Sequence, residues 1–258
     1  MNSQETVGFI APDHRADQIM RAPQPNPNRP TLRIAETFTS LQGEGLLTGT
    51  QSHFIRTSGC NLRCWFCDTP YASWQPEGEG VAIEQLVDGA IESACHHVVL
   101  TGGEPMLPLQ SVELVSRLRE VGMHVTIETA GTVYRDLTAD LMSISPKLAG
   151  SGPRDDKDKW HRRHEQTRWR PDVIAQVIDS AVEYQIKFVI DNECDFDQCV
   201  DAVKTLSVPA DHVWIMPQGT DANALDQQAE WLSPLVQAAG YRYCDRMHVR
   251  WYGNQRGT

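Results

Sequence analysis

No stretch of this 258-residue chain approaches 18 consecutive apolar residues, so nothing in it is expected to span a membrane. Residues 1–30 lack the basic start and apolar centre of a secretory signal. They read as a polar, flexible N-terminal leader rich in proline (Ala22-Pro23-Gln24-Pro25-Asn26-Pro27). Positive charge is short as well. The 23 Lys and Arg face 34 Asp and Glu, a net −11, and without a basic field the chain is no general nucleic-acid binder. The cysteines do not form an even, regular set: seven, unevenly spaced, argue against a disulfide scaffold. A reducing cytoplasm suits them better, with thiols serving metal or catalysis. Neither an internal repeat nor a second domain boundary is visible, so residues 31–258 read as a single domain.

Six short β-branched runs are present: His53–Thr57, Val98–Thr101, His124–Thr129, Leu141–Ser145, Ile186–Ile190 and Val213–Pro217. Amphipathic helical patterns separate most of them, at Ile83–Ala94, Leu109–Val121, Asp172–Glu183, Phe196–Leu206 and Ala224–Ala239. Strands alternating with helices predict an α/β fold around a parallel sheet. Six units are too few for an eight-stranded barrel and leave an open or partial barrel, or a doubly wound sheet. A charged segment at about 150–172, with seven Lys and Arg between 154 and 170, reads as a solvated loop, or else as a lid or docking segment.

In either architecture ligands gather at the carboxyl ends of the strands. Polar motifs follow the runs there: Thr101-Gly102-Gly103-Glu104-Pro105, Glu128-Thr129-Ala130-Gly131-Thr132, Ser145-Pro146-Lys147 and Met216-Pro217-Gln218-Gly219. After the first run comes Ser58-Gly59-Cys60, then Cys64 and Cys67, a C-x3-C-x2-C spacing. A structural zinc site needs a fourth ligand, and His53, Cys95 and His124 sit at no zinc-finger spacing. A cubane cluster held by three thiolates keeps one iron open for a small molecule. Gly59 permits the tight loop this needs. The remaining cysteines, Cys95, Cys194, Cys199 and Cys244, read as small buried hydrophobes.

The C-x3-C-x2-C loop together with Thr101–Pro105 resembles the radical S-adenosylmethionine (SAM) superfamily. Glu36–Gly45, Arg56, Cys60–Thr69 and His248–Gly257 are similar to the 7-carboxy-7-deazaguanine synthase family, from about residue 33 onward. The resemblance implies a modified, partial (β/α)6 TIM-like barrel of the radical SAM type. It implies a lyase that contracts 6-carboxy-5,6,7,8-tetrahydropterin to 7-carboxy-7-deazaguanine with release of ammonia, a step of queuosine biosynthesis. Hydrogen abstraction from C6, rearrangement and return of the hydrogen would leave SAM regenerated. Three cofactors are implied: a [4Fe-4S] cluster on Cys60, Cys64 and Cys67, SAM, and Mg2+ at Thr69. Implied SAM contacts are Phe66, Cys67, Asp68, Gly103, Ser145, Pro146, Lys147, Met216, Pro217, Gln218 and Gly219. Implied substrate contacts are Leu41, Gln42, Gly43, Glu44, Arg56 and Thr101. A homodimer and an external electron donor such as flavodoxin are implied too. Arg56 offers the planar fork that suits a carboxylate, the rival reading being a strand-end Arg paired with a surface acid. Two features depart from the family pattern: Ala130 replaces a polar residue, and Tyr252 interrupts the Trp-Gly-Asn ending.

Overall fold

The structure, a computed structural model, describes residues 29–155 and 157–258. Most of the leader expected over residues 1–30 lies outside the described residues. The chain begins with an antiparallel pair, β1 (Thr31–Leu41) and β2 (Gln51–Thr57). Next come α1 (Pro70–Ser73), β3 (Glu79–Ala82), α2 (Ile83–Glu92), β4 (His97–Gly102), α3 (Gln110–Glu120), β5 (His124–Thr129) and β6 (Leu141–Ile144). Two helices follow in succession, α4 (Lys159–Thr167) and α5 (Pro171–Ser180). The chain ends with β7 (Tyr184–Ile190), α6 (Glu193–Leu206), β8 (Val213–Pro217), α7 (Ala222–Ala238), β9 (Arg242–Tyr243) and α8 (Met247–Tyr252).

Strands β2, β4, β5, β6, β7 and β8 run parallel in that order, so all six expected runs are adjacent barrel strands. Among the described residues the sheet has nine strands in the order β3-β1-β2-β4-β5-β6-β7-β8-β9 and ends in β3 on one side and β9 on the other. This is an open, partial barrel of six parallel strands, as expected. The antiparallel β1 and β3 were not read from the sequence.

Helix positions follow the apolar spacing. On α2, Ile83, Leu86, Val87 and Ala90 form one buried stripe, while Ile91 at its edge is 49% exposed. The helix stops at Glu92 because Ala94 turns to φ 56°. Asn192 and Asp221 cap α6 and α7 by accepting from Asp195 N and Ala224 N. The core lies between the outer helices and the sheet, with Ile55, Leu100, Ile127, Ile144, Phe188 and Ile215 all fully buried. Among the described residues no helix is long and apolar enough to cross a membrane.

The charged 150–172 segment is not a loop throughout. Asp158 caps α4 by accepting from Trp160 N at 2.8 Å, and His164 on that helix is fully buried.

Within the sheet His97 is 4% exposed, placed 2.6 Å from Ser52 Oγ and 2.7 Å from Thr126 Oγ1. Burial pushes its pKa down to about 4, with neighbouring His124 adding to the shift. The neutral ring therefore contributes stability above the ordinary histidine pKa, and that contribution is lost as pH falls toward 4. We expect urea midpoints to decline between about pH 6.5 and 4, by on the order of 2 kcal/mol from this residue. His97→Gln should flatten that part of the slope; an unchanged slope would refute the assignment.

Candidate active site

A cavity of about 470 Å3 opens inside the barrel. Its mouth and its floor come from opposite directions. The mouth is built at the carboxyl ends of the parallel strands, where the loop after β2 carries Cys60, Cys64 and Cys67. The floor comes from β1. Because β1 runs antiparallel to β2, Leu41 sits opposite Gln51, at the amino end of β2. The segment Gln42–Glu44 therefore enters from the far end, and Leu46 N donates to Gln185 Oε1 near the start of β7.

Backbone contacts bind the mouth together. Gly103 N donates to Thr57 O, Glu104 N to Gly59 O, and Gly59 N to Ala72 O. A Cβ at Gly103 would fall on the Gly59 carbonyl, so only glycine fits there. Gly59 is different: nothing lies within 4 Å of its would-be Cβ, and its φ of +110° is what requires glycine. The fully buried Glu104 joins β4 to β5 by accepting from Thr129 Oγ1, Ala130 N and Met106 N. Burial raises its pKa, against those three bonds. Position 130 contributes its backbone N–H, so alanine in place of a polar residue costs nothing in this contact.

The floor is an ion network. Glu44 lies 2.9 Å from Lys187 Nζ, 3.4 Å from Arg246 Nε and 3.9 Å from His248 Nδ1. Burial pushes the Glu44 carboxyl up, but the charges of Lys187 and Arg246 outweigh it and hold it below the carboxylate range. Burial likewise acts against the Lys187 charge, and Glu44 with Glu128 raises its pKa instead. Glu128 accepts from Thr101 Oγ1 at 2.8 Å and Gln42 Nε2 at 3.2 Å. Arg246 also donates to Gly219 O and pairs with Asp68 of the cysteine loop. On the wall, Arg56 Nε donates to Glu36 Oε1 at 2.7 Å. Glu36 also accepts from Tyr71 and Arg256, and these partners outweigh burial to lower its pKa. Arg56 is thus paired with an acid, but a half-buried one, and its guanidinium still lines the cavity.

All six expected substrate positions, Leu41, Gln42, Gly43, Glu44, Arg56 and Thr101, line this cavity. Of the expected SAM positions, Phe66, Cys67, Asp68 and Gly103 line it, as do Ser145, Lys147, Met216 and Gln218. Pro146, Pro217 and Gly219 do not: they alternate with residues that face inward. Pro146 borders a separate hollow beside Trp65 and Phe66. Thr69 lines the main cavity, its Oγ1 3.7 Å from Cys67 Sγ. Sequence reasoning missed Lys187, Arg246 and His248. Lys187 was signalled by a lone charge inside the apolar run Ile186–Ile190 and His248 by its place at the head of the stretch His248–Gly257, whereas Arg246 carries no local pattern. Residues 254–258 also border the cavity, so Tyr252 does not keep the segment after it away.

The donor set fits an iron–sulfur cube. Cys60, Cys64 and Cys67 are free, half-buried and border one space. Among the described residues no three His, Cys, Asp or Glu side chains are grouped closely enough to hold a single metal ion. Burial pushes Cys60 up to about 12 and Cys64 up to about 11, and a cationic cluster is what would stabilise their thiolates. Of the other cysteines, Cys95, Cys199 and Cys244 are buried and Cys194 is exposed.

Residues 54–193 match the family model of the radical SAM superfamily. A 7-carboxy-7-deazaguanine synthase of Rhodopirellula baltica is 51% identical over 88% of this chain and 89% of its own length. One of Halobacterium salinarum is 40% identical over 85% and 90%. The crystal structure of QueE from Escherichia coli superposes with a TM-score of 0.62 at 23% identity, covering 84% of this chain and 95% of that one. That last likeness supports the fold.

Lys187→Met leaves Glu44 and Glu128 without their shared cation. Arg246 still holds Glu44, so the expected loss is about 3 kcal/mol in the urea midpoint, the low end for a broken buried pair. Lys187→Met with Glu128→Gln should recover part of it. A stability unchanged by Lys187→Met would mean the network carries no weight.

Proposed function

The chain belongs to the 7-carboxy-7-deazaguanine synthase family of the radical SAM superfamily, and on that premise we propose the reaction and the residue roles that follow. It is a lyase that converts 6-carboxy-5,6,7,8-tetrahydropterin to 7-carboxy-7-deazaguanine with release of ammonia, in queuosine biosynthesis. What carries this reading is one cavity that joins three free thiols at its mouth to a charged, hydrogen-bonding floor. The [4Fe-4S] cluster and SAM supply the radical that abstracts hydrogen.

The chain's own task is to hold and orient. Cys60, Cys64 and Cys67 hold the cluster, and the backbone at Gly103 offers the close approach SAM needs. Phe66, Asp68, Ser145, Lys147, Met216 and Gln218 surround the nucleoside. Arg56 presents its free guanidinium edge to the substrate carboxylate, because Glu36 engages Nε. Gln42, Glu44 and Thr101 read the ring edge from below, fixed by Lys187 and Glu128 so that the bound geometry needs little ordering. Thr69, whose hydroxyl borders the cavity, would supply a hard oxygen for Mg2+. A cytosolic setting, a homodimer and an external reductant such as flavodoxin complete the proposal; free thiols fit a reducing compartment.

Two measurements test it. Anaerobically reconstituted protein mixed with the tetrahydropterin, SAM and a reductant should form 7-carboxy-7-deazaguanine; no product would refute the reading. Arg56→Gln should raise KM for the pterin on the order of tenfold to a hundredfold, the loss of a charge-assisted bond, with KM for SAM unchanged.

A further inference from the structure

The proposed reaction leaves the charged segment from 150 to 168 unused. Hydrogen bonds and stacking wire it to the cysteine loop. His164 Nδ1 accepts from Arg63 N at 3.1 Å, and its Nε2 lies 2.9 Å from Ser151 Oγ. Ser151 O accepts from Trp65 N at 3.0 Å, and Gly150 O accepts from Trp65 Nε1 at 3.1 Å. The Arg63 guanidinium lies over the Trp160 ring at 4.0 Å and donates to the Cys60 carbonyl at 2.8 Å. Outside this frame lies a row of basic groups. Arg154 covers Trp65 at 3.9 Å and Arg163 lies 4.8 Å from the Trp160 centroid.

Arg154, Lys157, Lys159, Arg162 and Arg163 are all exposed. Of the described acids among them, Asp155 accepts from Lys157 N, and Asp158 caps α4. Arg168 and Arg170 pair with Glu165 and Asp172, whereas no described acid pairs with these five. On a chain of net charge −11, the ten residues 154–163 carry five Lys and Arg against three Asp, a local reversal of sign. That reversal stands directly outside the loop that carries Cys60, Cys64 and Cys67.

We infer that this face of α4 and the turn before it is the docking surface for an acidic one-electron carrier protein, which loses one electron as the cluster gains one. The inference rests on the proposed radical SAM reading and specifies where its reductant binds. Charge complementarity selects the partner and speeds encounter, and the salt dependence of the rate reports it. The stacked Arg63–Trp160 pair and Trp65 set the carrier against the cluster loop instead of against the substrate cavity.

The test uses photoreduced flavodoxin, an acidic carrier, against dithionite, a small reductant that needs no docking. The variant is Lys157→Glu/Lys159→Glu/Arg162→Glu, which spares Arg63, Arg154 and Arg163, the cations stacked on Trp65 and Trp160. Two readouts are taken: stopped-flow bleaching of the reconstituted cluster without substrate, and product formation. The expected result is a loss of more than tenfold with flavodoxin in both, with dithionite rates within twofold of the parent. In the parent, flavodoxin rates should fall as salt rises, and in the variant they should not. Equal flavodoxin rates in parent and variant, or an equal loss with both reductants, would overturn the docking surface. Absence of product from the parent with dithionite would overturn the functional reading instead.

Discussion

Arg246 meets Glu44 on one side and Asp68 on the other, and Lys187 meets Glu44 and Glu128. This chain of charges joins five separate parts of the molecule: the loop after β1, strand β5, strand β7, the segment before α8 and the cysteine loop. A buried charge is costly unless it is paired, so none of the five parts can drift without leaving another exposed to that penalty. The spacing between the floor of the cavity and the thiols at its mouth is set by this constraint. The barrel alone does not set it, since the sheet is open and ends at β3 and β9.

A second set of constraints acts at the mouth through the backbone. The ends of β2 and β4 are held together by Gly103 N to Thr57 O and Glu104 N to Gly59 O. Glu104 carries the same joint on to β5 through Thr129 and Ala130. The glycines matter for separate reasons, one for a positive φ and one for contact with a carbonyl. Three adjacent strand ends are thereby fixed before any cofactor binds, which is the kind of preorganisation that a reaction dependent on placement requires.

The barrel strands and the mouth were legible in the sequence because their signals are local. Each of the six parallel strands is a β-branched run, and each strand-end motif follows its strand at once. The floor was only half legible. Gln42 and Glu44 stand in a recognisable stretch, but nothing near them announces Lys187 or Arg246, which arrive from 143 and 202 residues away. Strand β1 was missed because its polar residues, such as Thr37, Thr39 and Ser40, hide the alternation on a strand that is only half-buried. The charged segment after β6 reads as a solvated loop, or else as a lid or docking segment, because its composition is polar. The single buried His164 that anchors it is invisible to periodicity.

Antiparallel β1 has an implication for descent. Since it delivers Gln42–Glu44 from the pole opposite the cysteines, the recogniser and the igniter occupy independent stretches of polypeptide. A lineage could retool the lower loop for another ring system while inheriting the upper one untouched. The ties of Glu44 to Arg246 and Lys187, and of Gln42 to Glu128, would need to be renegotiated along with the lower loop.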